Sequence, residues 1–429
     1  MKKTKTIYID TLIYDYSLIE EKLTKLAAEG WHLEKVGPLG WKFRRGEPKQ
    51  VSYAVTYAPS ASAFNSRPTE AEEDLSDLCA QAGWVRVATQ AQMHIYRNED
   101  PGATPLETDD AEKLRNIGKS MMKHFFPTEA LVVVVFLLQF FMHMNTLNSW
   151  PGRTLSSPMM ISTLVMSLFV AVIHVILTVN DILWLRRARR DVAEGEPIPV
   201  NRFYRRFRFV VWAFLLGYLL CLLGSEGTGF LGWVLVTSAA VLLTTAGALS
   251  LCKKLNAPRW VNMVVPAGLC VLVIAVLGTM LFFSIDCSLE ELPTDTDTPL
   301  TLQQLTGETD TEREVLEEHS SILSAYGRYW EKGADDARLS YTIVDVKCPL
   351  FYDMLLNEQE AEFMQTANFL ADMNVSEVAV RFDAEYGRHY VSDLGDYWLI
   401  CWDNRIVYLK ASWELTEAQT AVLAEALKP

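Results

Sequence analysis

Between Pro127 and Ile285 the apolar positions form five nearly unbroken runs: Pro127–Leu147, Met159–Leu185, Phe207–Gly224, Gly229–Leu251 and Trp260–Ile285. Each approaches or exceeds the ~20 residues that cross ~30 Å of hydrocarbon. No globular core needs five such runs in succession, so the pattern predicts five transmembrane helices. On either side the periodicity shortens. Ahead of the runs, Lys5–Asp10 reads as a strand, and Tyr14–Glu29 as a helix with Leu18, Leu23, Leu26 and Ala27 on one side. Gly30 stops that helix. Trp31–Val36, Trp41–Arg45 and Gln50–Tyr57 read as strands around the Gly37-Pro38 turn. After the runs, Leu339–Lys347 alternates as a strand and Leu350–Met373 is helical, with Leu350, Met354, Leu355, Phe363, Phe369 and Leu370 as candidate core. Glu377–Phe382 follows as a strand. Tyr397–Trp402 and Arg405–Lys410 flank Asp403-Asn404 as a hairpin, and Thr416 caps a last helix to Leu427.

The front segment repeats itself. Leu75–Gln81 is helical, Ala82-Gly83-Trp84 parallels Glu29-Gly30-Trp31, and Met93–Arg97 parallels Trp41–Arg45. Gly30/Gly83, Trp31/Trp84, Phe43/Tyr96 and Arg44/Arg97 share an offset of 53 residues. The expectation is a duplicated βαββ unit with its helices on one face of an antiparallel sheet. Trp31, Trp41, Phe43 and Trp84 read as core aromatics, and the isolated His32 and His94 as surface or edge residues. The fold class is therefore membrane α-helical, with an N-terminal α+β domain (1–105), a linker (106–126), five spans (127–285), an acidic Thr/Pro-rich stalk (286–311) and a C-terminal α+β domain (312–429).

YDYSLIEEKLTKLAAEGWHLEKV, then WKFRRGEPKQVSYAVTY and LCAQAGWVRV with HIYRNE, resemble the bacterial family of domain of unknown function 2812. The likeness covers about the first quarter of the chain. It implies membrane spans downstream and genes lying near PadR-type regulators, and no catalytic role. The polar, Ser/Ala-rich loop Pro59–Arg67 between the two halves departs from the family pattern.

Charge gives the spans a direction. Arg186, Arg187, Arg189, Arg190, Arg202, Arg205, Arg206 and Arg208 crowd the connection between the second and third runs, and short basic connections stay in the cytoplasm. Lys113, Arg115, Lys119 and Lys123 before the first run and Lys253, Lys254 and Arg259 after the fourth agree. The other two connections, Asn148–Pro158 and Ser225–Thr228, carry only Arg153. From Asp286 onward 29 acidic residues face 10 basic ones, a net −19, which leaves +5 on the rest of a chain whose total is −14. The expectation is a plasma-membrane protein with a cytoplasmic N-terminus and an extracellular C-terminus. Met1 is followed by KKTKTIYID, with no apolar stretch of signal-peptide type.

Candidate chemistry is sparse. Gln139 and His143 in the first run, and His174 and Asp181 in the second, are the intramembrane polar groups; helix–helix contacts and a transport path are the alternatives. The basic connection, with Phe203, Tyr204 and Phe207 among its arginines, suits anionic headgroups of the inner face. Nucleic acid is a poor fit there. Cys348 and Cys401 are a possible disulfide, with two buried thiols as the alternative. His389, Ser392 and Asp393 lack the surroundings of a nucleophile elbow. No cofactor or metal set is legible. Folded units on both faces favour a sensor or regulatory/interaction role with an unknown cytosolic partner and an unknown extracellular ligand; a transporter or an accessory subunit of an export complex is the alternative.

Overall fold

The computed structural model describes residues 3–9, 15–37, 40–201, 203–288, 298–369, 376–378 and 382–429, with the backbone alone at 204–206, 208, 221–234, 274, 277–288 and 367–369. Two compact units divide the chain: residues 1–136, 170–215 and 232–278 in the first, and 137–169, 216–231 and 279–429 in the second.

The first unit begins with the expected duplication. β1 (Thr4–Ile7), α1 (Tyr16–Ala28), β2 (Trp31–Lys35) and β3 (Trp41–Arg45) are followed by β4 (Ser52–Tyr57), α2 (Glu70–Gln81), β5 (Val85–Gln90) and β6 (Met93–Asn98). The halves do not merge into one sheet. They form two three-stranded antiparallel sheets of matching order, β1-β3-β2 and β4-β6-β5. The repeat reaches the backbone details: Gly30 and Gly83 sit at φ +82° and +80°, and the bulges at Leu33/Lys35 and Arg86/Ala88 are 53 residues apart. Ile19, Leu23 and Ala27 of α1 share a core with Trp41, Phe43, Val55 and Ile95. Trp84 packs separately with Ala54, Cys79 and Tyr96. Trp31 is only half-buried, under the Lys5 and Arg45 cations. His94 reverses its expectation: it is 0% exposed, 3.2 Å from Glu72 Oε1, and burial depresses its pKa.

The linker expected at 106–126 is mostly helix. Asp109 accepts the Ala111 N–H at 2.8 Å and starts α3 (Asp110–Ser120). A π-helical turn, Met121–Phe125, carries the chain into α4 (Phe126–Ser149). Leu114, Ile117 and Met121, at helical spacing, complete the core of the duplicated domain. Four more helices follow: α5 (Pro151–Ser156), α6 (Pro158–Ala193), α7 (Phe203–Lys254) and α8 (Arg259–Ser288). Among the described residues three stretches are long and apolar enough to cross a membrane, Asp110–Ser149, Pro158–Ala193 and Leu235–Lys254; Phe209–Leu220 and Arg259–Val273 are shorter. The chain is thus built for membrane association. Two expectations change here. Arg186, Arg187, Arg189 and Arg190 lie on the last turns of α6 rather than in a loop, where the negative helix terminus suits them. The break expected at Ser225–Thr228 is helical, inside a 52-residue α7. That stretch holds no proline, and each of its glycines costs a helix only about 1 kcal/mol.

In the second unit a seven-stranded antiparallel sheet has the order β10-β11-β12-β13-β9-β8-β7. Its strands are β7 (Thr311–Ser320), β8 (Ser324–Gly333), β9 (Arg338–Val346), β10 (Ser376–Glu377), β11 (Tyr386–Ser392), β12 (Gly395–Cys401) and β13 (Arg405–Ala411). α10 (Tyr352–Phe369) covers one face through Leu355 and Phe363, whereas Leu350, expected in that core, lies in the turn before the helix and is exposed. α9 (Leu302–Thr306) and α11 (Glu417–Leu427) cover the other. Both faces being buried explains the unbroken apolar run of β12: Tyr397, Leu399 and Cys401 face α10, and Trp398 and Ile400 face α11. The expected stalk is shorter than 286–311, because Leu300, Leu302 and Leu305 are core; residues 289–297 lie outside the described residues, as do Leu370, Met373 and positions 379–381 of the expected strand.

Candidate functional site

The polar chemistry of the first unit gathers where α3, the π turn and the end of α6 meet the duplicated domain. At its centre is Lys113, 9% exposed. Its Nζ lies 3.8 Å from the centre of the Tyr16 ring and 3.7 Å from Glu20 Oε1. Glu20 also accepts the Val55 N–H at 2.7 Å. Burial raises the Glu20 and Glu107 carboxyls above their ordinary range, against the pull of Lys113. This cluster fixes α3 on β4, so the membrane-length helix that continues from α3 is held by the folded domain.

The loop Pro59–Arg67 makes the second attachment. Ser66 Oγ donates to the Ala257 carbonyl at 2.6 Å, and Arg67 Nε to Asn256 Oδ1 at 2.9 Å. Asn262, 0% exposed on α8, donates through Nδ2 to the Phe64 carbonyl at 2.7 Å, to Ser66 Oγ at 2.9 Å and to the Ala257 carbonyl at 3.2 Å. A third attachment is Ile198, buried in the domain core beside Trp184, Leu185 and Ala188 of α6, with Trp184 Nε1 donating to the Pro199 carbonyl at 2.8 Å.

Beside these attachments runs a groove of about 790 Å³ walled by α3, the π turn, the end of α6 and Pro59-Ser60. Leu114, Met122 and Val192 give it apolar walls, and Arg115, Lys119, Lys123 and Arg189 surround it. Arg115 pairs with Glu112 at 2.8 Å. Lys119, Lys123 and Arg189 make no ion pair among the described residues, whereas Arg187 and Arg190 both share Asp191. Of the other expected basic residues, Arg202 and the side chains of Arg205, Arg206 and Arg208 lie outside the described residues.

The polar residues of the expected spans are placed as follows. His174 Nδ1 lies 2.5 Å from Glu129 Oε2, a partner the sequence reading passed over. Asp181 is buried and accepts from Asn180 at 3.3 Å. Gln139 is exposed on its helix, and His143 is half-buried.

In the second unit α5 docks on the sheet domain. Gly152 N–H donates to Glu358 at 2.7 Å, Ser321 Oγ to the Leu155 carbonyl at 2.5 Å, and Arg153 pairs with Glu317 at 2.5 Å. Burial pushes Glu358 up to about 7, opposed by the Gly152 bond. Cys348 and Cys401 are unbonded thiols; Cys401 is buried and its pKa is pushed up to about 12 by burial. His389 does not meet Ser392 and Asp393. Its Nε2 lies 2.6 Å from Asp396 Oδ1 and its ring stacks on Trp398, with Ser376 Oγ 3.4 Å from Nδ1. The Ser376 hydroxyl donates better to the His389 carbonyl, at 3.2 Å, and Ser392 caps its own turn. Among the described residues no group of three His, Cys, Asp or Glu side chains is placed to hold a metal.

These features define a duplicated βαββ domain fastened to the ends of membrane-length helices. Residues 15–128 match the family model described as "Protein of unknown function (DUF2812)". The match runs from the start of α1 through the second βαββ half, α3 and the π turn, leaves out β1, and stops three residues into α4, so Arg115, Lys119 and Lys123 fall within it and Arg189 does not. No curated protein and no solved structure matches the chain.

Proposed function

We propose that this is a multi-pass plasma-membrane protein with five crossings, a cytoplasmic N-terminal domain and an extracellular C-terminal domain, acting as a sensor or regulatory protein. The observation that carries the reading is the triple attachment of the duplicated domain to α3–α4, α6 and the α7–α8 turn. Any rearrangement of those helices alters a surface on which the domain rests, which is what transmission to a cytosolic partner requires.

The same contacts support two crossings by α7. Ile198 just before it and Asn256 just after it both touch the duplicated domain. A domain of about 100 residues is roughly 35 Å across, whereas a straight 52-residue helix is about 78 Å long. A helix whose two ends return to one domain is expected to bend between them. We place that bend at Ser225–Thr228, helical in this structure, because serine and glycine weaken a helix most.

Transmission is tested in the full chain by Glu358→Gln at pH 8, which removes a buried charge from the second unit. Hydrogen exchange at residues 62–67 of the first unit is predicted to change; identical exchange in both proteins would argue against coupling. Export or accessory-subunit activity is the other reading.

A further inference from the structure

We propose that the groove between α3, the π turn and the end of α6 is a site for one anionic glycerophospholipid, its phosphate held by Lys119, Lys123 and Arg189. The inference rests on the reading that these helices cross the bilayer, and not on which side the groove faces. Three observations carry it. The first is charge without partners: Lys119, Lys123 and Arg189 surround one cavity and make no ion pair among the described residues, while neighbouring Arg115, Arg187 and Arg190 each have a carboxylate. A topology signal alone has no need to gather unpaired cations from two helices around one space.

The second is depth. Lys123 lies four residues before Pro127, where the first apolar run starts, and Arg189 four residues after Leu185, where the second ends. At 1.5 Å per residue both cations stand about 6 Å outside the apolar runs. The layer between hydrocarbon and water is about 5–7 Å thick on each side, so they sit at the level of lipid phosphates. The third is the lining. Leu114, Met122 and Val192 offer apolar walls in the same space, with Met122 62% exposed. Free phosphate has no use for such walls, whereas the glycerol and upper acyl carbons of a lipid cover them. The cavity of about 790 Å³ accommodates a headgroup and those carbons. Basic pockets between membrane helices are a recognised way of holding anionic headgroups, and the phosphate is bound as a point charge by lysine and through a fork by arginine.

The test is native mass spectrometry of the full chain released from detergent, titrated with dioleoyl-phosphatidylglycerol, dioleoyl-phosphatidylcholine or inorganic phosphate. The expectation is one retained phosphatidylglycerol, bound at least about tenfold more tightly than phosphatidylcholine and not displaced by millimolar phosphate. The triple variant Lys119→Ala, Lys123→Ala, Arg189→Ala is expected to weaken it about 100-fold. The triple variant Arg186→Ala, Arg187→Ala, Arg190→Ala removes the same charge from α6 and is expected to stay within about threefold of the parent. Ala193→Trp, at an exposed lining position, fills the groove with its charges intact and is expected to abolish retention while the fold is unchanged by circular dichroism. Equal losses in the two triple variants would reduce the effect to general electrostatics and overturn the site. Displacement by inorganic phosphate would make it a free-anion site, and equal retention of the two lipids, or full retention by Ala193→Trp, would also overturn it. Reporter fusions that reversed the orientation would leave these outcomes unchanged, so the two ideas fail separately.

Discussion

Asn262→Leu is the sharpest perturbation of the docking between the duplicated domain and the membrane helices. Asn262 is fully buried, and its amide group reaches three acceptors, the Phe64 carbonyl, Ser66 Oγ and the Ala257 carbonyl, at 2.7, 2.9 and 3.2 Å. Each such bond contributes about 1 kcal/mol net, and an orphaned buried acceptor costs more. The Ala257 carbonyl keeps the Ser66 hydroxyl at 2.6 Å, so the Phe64 carbonyl bears the main loss. Leucine keeps the branched skeleton of asparagine and is the larger side chain, so no cavity adds to this. The sum is about 2–3 kcal/mol, or roughly 30–150-fold in the equilibrium for opening the loop. Hydrogen exchange of the backbone amides at residues 62–67, measured in the full chain in detergent micelles, reads that equilibrium directly. Arg67→Ala, which removes one exposed bond to Asn256, serves as the internal comparison and is expected to accelerate exchange less than about threefold. Exchange in Asn262→Leu within threefold of the parent would refute the idea that Asn262 holds the loop.

Two further outcomes follow from the surroundings of Glu358 and of the Glu129–His174 pair. Glu358 titrates at about 7 in the folded protein against 4.5 in the unfolded chain, so the native state holds a proton that the unfolded state has lost between those values. Its contribution is complete below about 4.5 and is lost as pH rises through about 7. The thermal midpoint of the full chain is therefore expected to fall between pH 5 and 8 more steeply than in Glu358→Gln; parallel profiles would contradict the assignment. For the Glu129–His174 pair, either single leucine substitution strands a polar group among apolar helices and is expected to destabilise by about 3 kcal/mol, with the double substitution closer to the parent. Denaturant titration in mixed micelles checks this, and additive single effects would show that the pair is not coupled.

Much of the architecture was written in local pattern, and the exceptions have identifiable causes. The duplication was legible because glycine at a helix end and tryptophan opening a strand are demanded by backbone geometry, and the same demand recurs 53 residues on. The Gly395–Ala411 hairpin was legible for a similar reason, its Asp403-Asn404 turn lying between two apolar runs. β7 was missed because it is an edge strand, TEREVLEEHS, whose alternating partner to the core is charge rather than apolar bulk; charge on an edge discourages pairing with other chains. α3 passed for a linker because its core face is only Leu114, Ile117 and Met121, diluted by acidic and basic neighbours. The sequence context of His94 suggests a surface residue because nothing in it announces Glu72, twenty-two positions away and brought beside it by the packing of α2 on the β4-β6-β5 sheet. The groove was half legible. Its cations were visible as flanks of apolar runs, but their convergence depends on α6 continuing past Leu185 and on a π turn that no pattern of period 3.6 foretells.

On the proposed topology the chain crosses the membrane an odd number of times, with α7 crossing twice. Fusing a reporter active only outside the cytoplasm after Asp100, after Gly227 and after Pro429, in separate proteins, tests it most directly. The account predicts silence after Asp100 and activity after both Gly227 and Pro429. Silence after Gly227 together with silence after Pro429 would contradict it, since that pattern belongs to an α7 that does not turn back outside and to two chain ends on one side.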